Sequence, residues 1–457
     1  ATVTYTNQIA RIMQAHCVEC HRAGEIAPFA LTEYEEVAGW AEMIDEVVRL
    51  QRMPPWHANA EFGEFANDCS LSDEEKELIE QWVADGAPQG NPDDLPAPRQ
   101  FVAAWQLPRE PDLVLDVNSK PFQVPATGEV RYQWFTAPTG LTEDKWLAAA
   151  EIVPGNRSVV HHILAFTRTP GDGNRFSRRE GFLVGYVPGL RVQPLPAGFA
   201  KKIPAGSELV FQVHYTPIGS PQTDQSKIGL IFADPDEVTH QVLTRQAANL
   251  GFAIPPGARD YQVEAHSIRA PQELLLLGLM PHMHVRGKSF RYELQYADGR
   301  STTLLDVPRY DFNWQTSYRL TTPMPIPAGA RIHCVAHFDN SERNLANPDP
   351  TKTVRWGDQT WDEMMLGYFD IAVSLDDQRA EHAIAAFQGN AEPKQAAATV
   401  IRLLDQNNDG QLARTEVQPR MLPAFLLIDK NLDGQVTLAE MTAAIEHRQA
   451  KAKGAAP

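Results

Sequence analysis

The segment IPAGSELVFQVHY (203–215) returns later in the chain as IPAGARIHCVAHF (326–338). Each copy is a Pro-Ala-Gly turn feeding a run of β-branched and aromatic residues. Each ends with a histidine eight residues after the glycine: His214 after Gly206, and His337 after Gly329. A histidine pair also precedes each copy, His161-His162 in the first and His282-x-His284 in the second. A repeated turn-and-strand unit constrains the middle of the chain to a duplicated β structure. Its surroundings agree. Short runs such as LVLDV, VRYQWFTA, IGLIF and FRYELQY, separated by Pro/Gly turns, fill residues 110 to 375. That length is more than twice a sandwich of ~100 residues, so two sandwiches are expected.

The flanks read differently. LTEYEEVAGWAEMIDEVVRLQ and LSDEEKELIEQWVADG carry apolar residues at helical spacing, and Ser72 with Glu75 forms a capping-box pattern. GAPQGNPDDLPAPRQ has the composition of a linker. The expected layout is a helical unit over 1–92, a linker over 93–109, sandwiches over 110–245 and 246–375, a second linker over 376–392 and a helical tail over 393–457. The fold class expected is therefore multidomain: an all-α domain, two β-sandwiches of jelly-roll type and a small α-helical pair.

Charge narrows the partners. A net charge of −17 argues against nucleic acid, because phosphate is repelled, and suits a basic redox partner. No apolar run approaches the ~18–20 residues of a membrane span.

In AHCVECH, Cys17, Cys20 and His21 form C-x-x-C-H, the attachment pattern of haem c: two thiols bond the porphyrin and the histidine reaches the iron. RMPPWH offers Met53 as the sixth ligand on a proline-stiffened loop, with His57 and His16 as rivals. Residues 1 to about 90 resemble a small class I cytochrome c domain. In bacteria that resemblance implies maturation outside the cytoplasm, so a periplasmic or secreted protein is expected. Cys69 and Cys334 are left over, either as a disulfide or as two buried thiols.

On a strand, His282 and His284 project to one face. His161 and His162 are adjacent, so both reach one metal only if the strand bulges or ends there. QTWDEMMLGYFDI adds Met364 and Tyr368. The ordered series HH, H, H-x-H and D-E-M resembles the copper type II ascorbate-dependent monooxygenases, the peptidylglycine alpha-hydroxylating and dopamine beta-monooxygenases. The resemblance covers about residues 110 to 375. It implies two jelly-roll sandwiches with one copper each, facing across a cleft. It implies His161, His162 and His214 on the electron-transfer copper, and His282, His284 and Met364 on the copper where O2 is activated, with Tyr368 on the substrate side. Imidazole suits both copper states and thioether favours Cu(I). Three features depart from the family. His337 and Met365 compete with Met364, the cysteine usual after D-E-M is absent, and Met280 stands where the peptide enzyme has a substrate-binding arginine.

DQNNDGQLARTE and DKNLDGQVTLAE both fit the EF-hand loop. Asp405, Asn407, Asp409, Gln411 and Glu416 are the expected calcium ligands of the first, and Asp429, Asn431, Asp433, Gln435 and Glu440 those of the second. The function expected is a copper monooxygenase that hydroxylates a C–H bond of a small organic substrate with O2. Its electrons would pass through the fused haem from ascorbate or a redox protein. The alternative is a non-catalytic electron-transfer or copper-handling protein, and zinc in the sandwiches is a third reading.

Overall fold

Strand accounts for 34% of the chain and helix for 17%, the latter in short pieces, so β structure sets the architecture. The computed structural model describes residues 2–23, 25, 27–101, 105–169, 181–187, 192, 194–376, 393–405, 409–417 and 422–453.

The first half contributes β1 (Leu113–Asp116), β2 (Phe122–Val124), β3 (Gln133–Pro138), β4 (Lys145–Val153), β5 (Val160–Arg168), β6 (Phe182–Tyr186), β7 (Phe199–Ile203), β8 (Glu208–Tyr215), β9 (Gln222–Asp224) and β10 (Lys227–Ala233). The second contributes β11 (His240–Ala248), β12 (Ala253–Ile254), β13 (Tyr261–His266), β14 (Leu274–His282), β15 (Gly287–Gln295), β16 (Ser301–Val307), β17 (Tyr318–Ile326), β18 (Arg331–Phe338), β19 (Val354–Arg355) and β20 (Leu366–Ser374).

One eight-stranded sheet, in the order β1-β10-β4-β7-β11-β20-β14-β17, runs through both halves. The join is a short parallel contact, His240 and Gln241 of β11 against Phe199 and Ala200 of β7. Against this sheet pack two four-stranded sheets, β3-β8-β5-β6 and β13-β18-β15-β16. Each encloses its own apolar core: Ile163, Phe211, Val213 and Leu230 in the first half, and Leu276, Phe290, Tyr292 and Phe338 in the second. The sandwiches are thus fused through a shared sheet. The repeat survives in the turns, where Gly206 (φ 69°) and Gly329 (φ 82°) occupy the left-handed region that glycine enters without a Cβ penalty.

The helical units expected at the two ends are not formed as such, which corrects the fold class. Helices α1 (Ala10–His16), α2 (Tyr34–Gly39), α3 (Ala41–Arg49) and α4 (Asp73–Ala84) are short and surround a small core of Ile9, Met13, Ile79 and Trp82. The Ser72/Glu75 capping box is present at the start of α4. However, residues 52–70 carry no helix and belong to the β structure. Phe65 bridges Leu320, the Ala66 N–H donates to the Arg319 carbonyl, and the Thr321 N–H donates to the Glu64 carbonyl. This segment covers the β17 edge of the long sheet, whose open backbone groups need partners. An all-α cytochrome domain is therefore not what the N-terminal residues make.

The tail is corrected as well. The two acidic loops begin at Asp405 and Asp429, too close for two helices between them. The described residues give α5 (Pro393–Leu404), a seven-residue α6 (Leu422–Ile428) and α7 (Leu438–Lys453), with a ribbon of β21 (Leu412–Ala413) and β22 (Gln435–Val436). An EF-hand pair flanks each loop with its own two helices, and that arrangement is not formed among the described residues. Asn407 lies outside the described residues. Cys334 is fully buried in the second core, and no disulfide joins it to Cys69.

Candidate metal centre

β5 and β8 are neighbours in the four-stranded sheet of the first half, with His162 opposite His214. The register slips between Val160 and His162, so His161 occupies a bulge. A bulge turns an adjacent side chain toward the face it would otherwise leave. As a result one ligand nitrogen each from His161, His162 and His214 lies within 4.8 Å of the others. The ring centroids are 4.9 Å apart for His161 and His214, and 5.2 Å apart for His162 and His214. His162 Nε2 and His214 Nδ1 are buried with no hydrogen-bond partner among the described residues. Buried polar atoms rarely stay unsatisfied, and a metal would satisfy both. Tyr132 packs its ring on His162 and His214, and Gln212 hydrogen-bonds His162.

Burial holds these imidazoles neutral. Desolvation lowers His161, pushes His162 well down, and with the neighbouring His161 brings His214 to about 4. Neutral imidazole is the metal-binding form.

The second cluster is built where β14 ends. In PHMH the two histidines turn to the cavity, while Met283 is fully buried in the core. Tyr310 fixes that methionine's backbone, accepting from its N–H at 3.1 Å and donating to its carbonyl at 2.8 Å. His282 Nδ1 donates to Gln315 Oε1 at 2.6 Å, and His284 Nδ1 donates to the Asp362 carbonyl at 3.2 Å. The bond to Gln315 fixes the His282 tautomer and leaves its Nε2 as the lone pair, the arrangement metal-binding histidines use, while His284 is also hydrogen-bonded to the Gln359 backbone. Desolvation pushes His284 down to about 3 and also lowers His282.

Glu363 ties this corner together. Its carboxylate accepts the backbone N–H of His284 at 2.8 Å, of Arg286 at 2.7 Å and of Met364 at 3.3 Å. Full burial pushes it up to about 8, against those donors and the nearby Arg286 charge. Met364 lines the cavity beside His282 and His284. Met365 is fully buried in the second core and is not part of the cavity wall. His337, which the repeat equates with His214, pairs with Asp260 at 3.1 Å and is absent from the cavity wall.

The two clusters flank a cavity of about 540 Å³ lined by His162, His282, His284, Met364 and Tyr368. Phe312 stands between them, stacked on His161 at 5.3 Å and edge-on to His284 at 5.9 Å. Tyr368 lies 6.4 Å from His282, ring to ring. The sequence reading missed Gln315, Phe312 and Tyr132, which come from segments with no motif. Glu363 lies within D-E-M, a motif that assigns it no role.

At the N-terminal segment, Cys17 and Cys20 are half-buried, and His21 Nδ1 donates to the Phe29 carbonyl at 3.2 Å, again leaving Nε2 free. Met53 is half-buried. His16 has both ring nitrogens engaged, with the Cys69 carbonyl and Glu75. His57 is desolvated beside Asp311 and Arg309. In the tail, Asp405 Oδ1, Asp429 Oδ1 and Gln435 Oε1 are buried with no hydrogen-bond partner among the described residues.

No family model and no curated protein matches this chain. Among solved structures, one of PNGF-II is 9% identical over 58% of this chain and 65% of its own, less than two thirds of its length, with a TM-score of 0.25. The VP2 subviral particle of infectious bursal disease virus is 11% identical over 59% of this chain and 74% of its own, with a TM-score of 0.19.

Proposed function

We propose that this protein is a copper-dependent monooxygenase that hydroxylates a C–H bond of a small organic substrate, taking electrons through a haem c attached at Cys17 and Cys20. One observation carries the reading: two clusters of neutral imidazoles flank one cavity across the single ring of Phe312, and Met364 lines that cavity beside the second. Copper at both clusters would supply one-electron chemistry and O2 activation, and haem c would supply one-electron storage upstream.

The chain's own residues do the rest. His161, His162 and His214 offer a closed, preformed triad for the electron-transfer ion. His282 and His284, held by Gln315 and Asp362, would offer imidazole nitrogens beside the Met364 thioether, a softer set suited to Cu(I). Tyr368 and Met280 wall the cavity next to His282 and would pack against the substrate. For the haem, the hydrogen bond to Phe29 orients His21 as the proximal ligand, and Met53 is the candidate sixth ligand. The unpartnered oxygens of Asp405, Asp429 and Gln435 support calcium in the two acidic loops, with Asn407, Asp409, Gln411, Glu416, Asn431, Asp433 and Glu440 as further donors. Ascorbate or a redox protein would be the external donor, and a periplasmic or secreted setting follows from covalent haem. No described helix is long and apolar enough to cross a membrane.

An electron-transfer or copper-handling protein would use the same histidines but has no need of a cavity this large at the second cluster. Substrate-dependent O2 consumption by the reduced, copper-loaded protein decides between them. Intact haem-to-copper electron flow without turnover on any tested substrate would defeat the enzyme reading. Zinc rather than copper in metal analysis would defeat both.

A further inference from the structure

We propose that Arg319 anchors an anionic group of the substrate, so that the cavity takes a small, largely apolar carboxylate. The proposal rests on the cavity being the substrate chamber, as read above, and adds the chemical class. Three cations line the cavity among the described residues: Arg157, Lys201 and Arg319. Arg157 lies 3.8 Å from Glu25. The Lys201 ammonium lies 3.6 Å from Asp370 and donates to the Leu183 carbonyl and Thr244 Oγ1. Arg319 has no carboxylate in ion-pair range among the described residues. Its guanidinium gives one N–H to the Pro194 carbonyl, and the rest of its donor fork is unassigned. Burial lowers its basicity with no charged neighbour contributing. A half-buried guanidinium without a counter-charge is costly, and a planar carboxylate is the group its fork matches bidentately.

Its place along the sheet fits that use. Arg319 of β17 lies opposite Gly278 of β14, and residues 278, 280 and 282 share the cavity face. Arg319 is therefore about 13 Å along the strand from His282. The stretch between is apolar and aromatic: Met280, with Tyr368 opposite it on β20. A carboxylate at Arg319 would lay the apolar remainder of a ligand along Met280 toward His282.

Metal-free protein tests this by calorimetric titration with octanoate, octanol and octylamine. Octanoate should bind at least about tenfold more tightly than either. Arg319→Gln should abolish that preference, and Arg319→Lys should keep part of it. Equal binding of octanoate and octanol, no octanoate binding at millimolar concentration, or an undiminished preference in Arg319→Gln would each overturn the proposal. Should Arg319→Gln misfold, the wild-type comparison and Arg319→Lys decide. Because no metal or turnover is involved, an inactive protein that still selects octanoate fails the monooxygenase reading and leaves the anion site standing.

Discussion

The ring of Phe312 stacks on that of His161, centroids 5.3 Å apart at an interplanar angle of 20°. The same ring meets His284 edge-on, so one side chain touches both histidine clusters. Aromatic contacts contribute about 0.5–1.5 kcal/mol each beyond area burial. Phe312→Leu should lower stability by roughly 1–2 kcal/mol and leave copper stoichiometry unchanged. In stopped-flow single-turnover absorbance it should slow reoxidation of the first cluster. Wild-type reoxidation kinetics would show that the ring does not lie between communicating sites.

Glu363 accepts the backbone N–H groups of His284 and Arg286 at the end of the H-x-H corner. Glu363→Ala removes that acceptor and leaves the backbone N–H groups of His284 and Arg286 buried without it. Buried donors left unsatisfied cost about 1–3 kcal/mol each, so the urea midpoint should fall sharply and the second copper should be lost. Glu363→Gln retains one acceptor oxygen and should lose distinctly less. Equal losses in the two variants would show that volume, not hydrogen bonding, is what matters there.

His162 Nε2 and His214 Nδ1 have no hydrogen-bond partner among the described residues. A buried polar atom without a partner carries a desolvation cost that an apolar side chain does not. His214→Leu, which breaks no side-chain hydrogen bond among the described residues, should therefore leave the metal-free melting temperature unchanged or raised. It should also remove the stabilisation that copper gives the wild type and lower bound copper by one ion in elemental analysis. A purely structural histidine would show the reverse, a destabilised metal-free protein with full copper.

Glu151 is buried in β4, and desolvation raises its carboxyl from 4.5 to about 7. A raised carboxyl keeps its proton in the folded state where the unfolded chain has lost it. Its contribution is fully present below about 4.5 and is lost as pH rises through about 7. Glu151→Gln keeps the acceptor for the Gln106 N–H without the charge. It should flatten the decline in melting temperature between pH 5 and 8, by the equivalent of up to about 3 kcal/mol. An unchanged slope would assign the decline to other groups.

What the sequence determined by itself is local. Alternating apolar residues and turn glycines are read pairwise along the chain, so the β-rich middle and its repeat were visible, as was the capping box at Ser72. The spacing of Cys17, Cys20 and His21, and the ordered histidines, are likewise local patterns. Three things were decided only by tertiary structure. Helical spacing over residues 1–92 did not reveal that residues 64–67 bind the edge of β17, because an open sheet edge is a long-range demand. The repeat equates His337 with His214, yet the outer face of β8 looks into the cavity while His337 on β18 meets Asp260 of the β12–β13 connection, a partner the repeat does not encode. Phe312, Gln315 and Arg319 carry no signature of their own. Their roles come from the loop and strand after β16 being folded against both clusters, which no spacing along the chain encodes.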